Sequence, residues 1–102
     1  MAGSMRVRAK EKNGIVTVKA LITHPMETGL RKDEDGNIIP EHFIQEVTAT
    51  VGDKVVFTAN WGTGVSKNPY LSFKYKGSKG DIVTLSWTDN DGHSDSLEAE
   101  VK

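Results

Sequence analysis

The chain has 102 residues, a hydrophobic share of 36% and a formal net charge of −1 from 13 basic and 14 acidic residues. That length fits one domain, and balanced charge gives no electrostatic basis for holding nucleic acid or an anionic membrane, both of which need a basic surplus. Cysteine is absent, which excludes a disulfide, a thiolate metal site and a covalent thiol intermediate.

No apolar run approaches the roughly 20 residues of a membrane-spanning helix. Residues 1–12 are polar and charged, unlike a secretory signal. Residues 1–4, ahead of Met5, read as a remnant of an expression tag, leaving residues 5–102 as one domain.

Strand patterns follow in chain order. Met5, Val7 and Ala9 alternate with Arg6, Arg8 and Lys10. Val16, Val18, Ala20 and Ile22 alternate with Thr17, Lys19 and Thr23. A period of two is the signature of a half-buried strand, not of a helix. Residues 25–40 form a long polar connection, and such connections are often functional. Val47, Ala49 and Val51 resume the alternation, and Gly52-Asp53 predicts a two-residue hairpin turn with glycine at positive φ. The returning strand is expected to face Val55, Phe57, Ala59 and Trp61 inward and Val56 outward. A second connection covers residues 62–69. Then Leu71, Phe73 and Tyr75 form an inner row, with Tyr70 on the outer face. Val83, Leu85 and Trp87 form the next inner row, Asp89-Asn90-Asp91-Gly92 reads as a turn, and Leu97, Ala99 and Val101 close the set. About seven antiparallel strands with frequent turns predict an all-β, immunoglobulin-like β-sandwich.

Candidate chemistry is sparse. His24, His42 and His93 lie in three separate segments and lack metal-ligand spacing, so no metal site and no cofactor are expected. Three histidines and no cysteine also fall short of superoxide reductase, an iron enzyme on an immunoglobulin-like fold that uses four histidines and a cysteine. The stretches around Asp33–Asn37 and Asp89–Gly92 lack the further oxygen ligands of a calcium loop and read as acidic turns. No serine sits in a glycine-flanked elbow, so no catalytic residue is assigned. Exposed tyrosine is a favoured interface residue, which singles out Tyr70.

The segment His24-Pro25-Met26-Glu27-Thr28-Gly29-Leu30-Arg31-Lys32-Asp33, followed by Asp35-Gly36-Asn37-Ile38-Ile39-Pro40, resembles the long loop of the SoxZ family. Val65-Ser66-Lys67-Asn68-Pro69-Tyr70 resembles that family's serine-x-asparagine-proline stretch, and residues 87–92 its acidic turn. The resemblance implies an immunoglobulin-like, non-catalytic subunit that binds SoxY, whose own cysteine carries the sulfur intermediates of bacterial thiosulfate oxidation. It also implies a periplasmic heterodimer, exported on the partner's signal and, through SoxY, meeting the other Sox proteins. The partner surface is expected at His24, Met26, Glu27, Arg31 and Asp33 and at Ser66, Asn68 and Tyr70. Arg31 could fork onto a sulfonate-capped arm or pair with Glu27 or Asp33 inside the loop, and the second use is favoured. An isolated chain could pair with itself through the same surface. Two rival readings are a free-standing adhesion or ligand-binding sandwich and, less favoured, a metal-dependent enzyme using histidine and aspartate.

Overall fold

A computed structural model describes residues 4–102; residues 1–3, most of the presumed tag, lie outside the described residues. Seven antiparallel strands run β1 (Met5–Lys12), β2 (Ile15–Ile22), β3 (Ile44–Val51), β4 (Lys54–Asn60), β5 (Tyr70–Lys76), β6 (Ile82–Asp89) and β7 (Ser94–Glu100). They form a three-stranded sheet, β1-β2-β5, and a four-stranded sheet, β4-β3-β6-β7. This is the sandwich the alternating pattern predicts. Each sheet has one apolar face, and only a second sheet can cover it.

The inner rows meet as a single core. Val16, Val18, Ile22, Ile44, Val47, Leu85 and Val83 are fully enclosed. Phe57 of one sheet stacks on Phe73 of the other, with ring centroids 4.4 Å apart and planes 7° from parallel.

Three details depart from the simple alternation. β1 and β2 are joined by Asn13-Gly14, both at positive φ (55° and 82°), a hairpin that pairs Lys12 with Ile15. β4 carries a bulge. Ala49 pairs with Phe57 and Thr50 with Val55, so Val56 is the extra residue. The bulge shifts the side-chain phase by one. Val55 is therefore 57% exposed, whereas Val56 packs against the core, the reverse of the sequence expectation. A second register shift lies between Ile44 and Glu46, opposite the end of β6, and leaves Gln45 as the extra residue. It turns Ile44 inward beside Asp89.

The connections segregate. Asn13-Gly14, Gly52-Asp53 and residues 77–81 lie at one end of the sandwich. Residues 23–43, residues 61–69 and the β6–β7 turn lie at the other, where Leu21 pairs with Tyr70 and Ile44 with Asp89.

Candidate functional site

The loop end is organised around Asp89. The inner row of β6 runs Val83, Leu85, Trp87, Asp89, so strand geometry alone points this carboxylate into the protein. Its side chain is fully enclosed. Oδ1 accepts the backbone N–H of Asp91 (3.0 Å) and of His93 (2.8 Å). Gly92 at φ 83° lets the turn close around it. Oδ2 faces His24 Nε2 at 3.1 Å and His42 Nε2 at 2.8 Å. His93 Nδ1 stands 3.6 Å from the same oxygen, and Asp91 Oδ2 stands 3.5 Å from His42 Nε2. Three histidines that are far apart in sequence thus surround one aspartate.

His24 extends the inner row of β2 past Ile22 and is buried. Its Nδ1 accepts the backbone N–H of Met26 at 3.1 Å. That fixes the neutral tautomer with the proton on Nε2, which donates to Asp89. Its ring sits edge-on to Trp87, with centroids 5.3 Å apart. Burial lowers the His24 pKa, and the opposing hydrogen bond to Asp89 does not restore it. For Asp89, burial would raise the pKa. The hydrogen bonds from His24, the His93 backbone, His42 and the Asp91 backbone outweigh it and hold the group at about 2.

The long loop has structure of its own. Glu27 and His42 exchange backbone hydrogen bonds, and Lys32 bridges to Ile38. Asp33 Oδ1 accepts the N–H groups of Asp35 (2.9 Å) and Asn37 (3.0 Å), closing the loop tip. Arg31 forks onto Glu27, Nε to Oε1 at 3.1 Å and a second nitrogen to Oε2, the internal pairing favoured from sequence. Met26, at φ 48°, is buried. The loop is joined to the second connection: His24 N donates to Asn68 Oδ1 at 3.0 Å and Asn68 N donates to His24 O at 2.9 Å. Asn90 ties the β6–β7 turn to the same loop, accepting from Phe43 N at 2.8 Å and donating to Glu41 O at 3.0 Å.

The residues singled out from sequence therefore divide by environment. His24 and Met26 are interior. Asp33 and Asn68 shape the loops, Glu27 and Arg31 hold each other, and Ser66 and Tyr70 face solvent. Sequence reasoning passed over Asp89, His42, Asp91 and His93 as a group. The available signal was the inner-face parity of β2 and β6, which runs on into His24 and Asp89.

Beside the loops, the outer face of β1-β2-β5 carries Arg6, Arg8, Lys10, Lys12, Lys19, Lys74 and Lys76, all exposed. Among the described residues no ion pair is made by any of these seven cations, and the outward rows of the three strands hold no carboxylate. Arg8 lies directly opposite Lys19, a like-charge pair that disfavours the isolated sheet. At the loop end of that face, Leu21 (43% exposed) and Tyr70 (61% exposed) are cross-strand partners.

Fold and site together define a cysteine-free, immunoglobulin-like β-sandwich with a braced loop end around a buried aspartate. The family model for "Sulphur oxidation protein SoxZ" matches residues 5–100. The chain belongs to the SoxZ family and so to the Sox system of sulfur oxidation. Among solved structures it is similar to two variants of the superoxide reductase (neelaredoxin) from Archaeoglobus fulgidus in the reduced form. For one, the TM-score is 0.65 at 20% identity, covering 94% of this chain and 86% of that one. For the other, the TM-score is 0.60 at 21% identity, covering 94% and 83%. At that identity the likeness shows the fold alone. No curated protein matches the chain.

Proposed function

We propose that this chain is the non-catalytic subunit that binds SoxY and supports its cysteine-bound sulfur intermediates during thiosulfate oxidation. One observation carries the reading. A member of a sulfur-oxidation family with no cysteine has no thiol on which to hold a sulfur adduct. The sulfur bond then belongs to another subunit. A cysteine-free support also removes a competing nucleophile that could attack the carried adduct.

The docking surface in this reading is the loop end and the Leu21–Tyr70 edge of the outer sheet face. Its support is the joining of residues 24 and 68 by hydrogen bonds, which makes one surface of the two connections. Leu30 (85% exposed), Ile38 (60%) and Tyr70 (61%) supply apolar contact area there. Ser66, Glu27, Arg31 and Asp33 supply the polar rim. His24, Met26 and Asn68 act from beneath by fixing the loop backbone. The heterodimer works in the periplasm, exported on the partner's signal.

Co-expression with SoxY tests this. The expected result is a stable one-to-one complex by light scattering, weakened more than tenfold when Tyr70→Asp and Leu21→Asp are combined, with the melting temperature of the variant chain unchanged. No complex, or a complex indifferent to both substitutions, would sink the reading, as would transfer of thiosulfate-derived sulfur onto the isolated chain.

A further inference from the structure

We propose that the loop end is also a binding site for one divalent transition-metal cation of the zinc type, held by His42, Asp91 and His93. Asp89 Oδ2 has two lone pairs and faces three imidazole nitrogens, at 2.8, 3.1 and 3.6 Å. His24 and His42 use both lone pairs, and the His93 nitrogen stands beyond hydrogen-bond range. Among the described residues the His93 ring makes no hydrogen bond, yet its centroid lies 5.6 Å from that of His42. One donor atom each from His42, Asp91 and His93 lies within 4.8 Å of the others.

Those separations suit a shared cation. Zinc binds imidazole nitrogen and carboxylate oxygen at about 2.0–2.2 Å, so donors around one tetrahedral ion stand about 3.3–3.5 Å apart. His42 Nε2 and Asp91 Oδ2 stand 3.5 Å apart, and His93 offers its donor within 4.8 Å of both residues. Two imidazoles and a carboxylate are mixed nitrogen and oxygen donors, which favour zinc and its neighbours over calcium.

His24 has a different role. Its Nδ1 accepts from the Met26 N–H, so its Nε2 carries the proton and donates to Asp89. It is a positioning residue: it fixes Asp89, the carboxylate that bonds His42 and holds the turn bearing Asp91 and His93, as outer partners of metal ligands commonly do. Asp91 and His93 are half and two-thirds exposed at their side chains, so the cation reaches the site directly from solvent. Asp89 closes the turn that presents both of them.

Calorimetric titration of the full chain with zinc ion alone tests the site. One zinc per chain is expected at micromolar concentration. His93→Ala and Asp91→Asn, both on exposed side chains, should each weaken binding by more than about tenfold while keeping the native melting temperature. Asp35→Asn, an exposed carboxylate at the loop tip, should leave it unchanged. Imidazole nitrogen resonances of His42 and His93 should shift on binding, with the His24 Nε2 proton retained. Absence of stoichiometric zinc, binding that survives both substitutions, or loss of the His24 proton would each overturn the proposal.

Discussion

The two ends of the sandwich share one core and differ in how their connections are built. At one end, tight turns close the strands. Asn13-Gly14 and Gly52 use positive φ, and Gly77 leaves room for the Tyr75 ring, onto which an added Cβ would collide. Tyr75 donates to Asp81 at 3.3 Å; burial first, then Asp81, pushes its pKa to about 12, so it stays neutral. At the other end, long polar segments are held by side chains instead of turn geometry. Asp89, Asn68, Asn90 and Asp33 each accept backbone N–H groups from the loops. Turn chemistry suffices where the chain reverses in two residues. A long connection must find acceptors elsewhere, here exposed Asp33, Asn68 and Asn90 and the buried Asp89.

That contrast can be broken by substitution. Trp87→Ala should be the largest perturbation. It empties space next to His24 at the loop end and should cost about 3–5 kcal/mol in urea unfolding. Asp89→Ala follows, at about 3 kcal/mol, because His24 and two backbone N–H groups lose a buried acceptor. Asp89→Ala should also raise hydrogen exchange through residues 23–43 and leave the β1–β2 and β3–β4 hairpins protected. Equal loss of protection at both ends would refute the view that the ends are braced separately.

Acid should act on the same end. Asp89 ionises more readily when folded, with a pKa of about 2 against 3.8, so its contribution is complete above pH 3.8 and is lost as pH falls toward 2. The amount is about 2 kcal/mol. His24 adds an earlier loss. Its folded pKa lies below 6.5, so the unfolded chain takes up that proton first and stability declines as pH falls through 6.5. Melting temperature against pH should therefore drop in two stages. A chain that gains stability between pH 7 and pH 5 would contradict the buried neutral His24.

Smaller effects belong to the turn end and the surface. Gly52→Ala, at φ 59° with open space around it, should cost about 1 kcal/mol through backbone strain alone. Arg31→Ala removes an exposed ion pair and should leave the melting temperature unchanged. If Arg31→Ala also leaves SoxY affinity unchanged, the rim at that point contributes nothing to docking.

Much of the fold was written in the linear pattern. Alternation placed the seven strands, and the inner rows through Val18, Val47, Phe73 and Leu85 match the core. What alternation cannot register is an inserted residue, which is why Val55 and Val56 exchange faces at the β4 bulge. An internal partner for Arg31, Glu27 or Asp33, was expected from sequence, and the structure selects Glu27.

The sequence by itself determined a sandwich of strands without a thiol, because periodicity and composition are local properties of the chain. Only the tertiary structure decided that His24, His42 and His93 share one aspartate. Their neighbourhood depends on strand pairing, which sets the end of β3 beside that of β6, and on sheet packing, which lays the end of β2 over them.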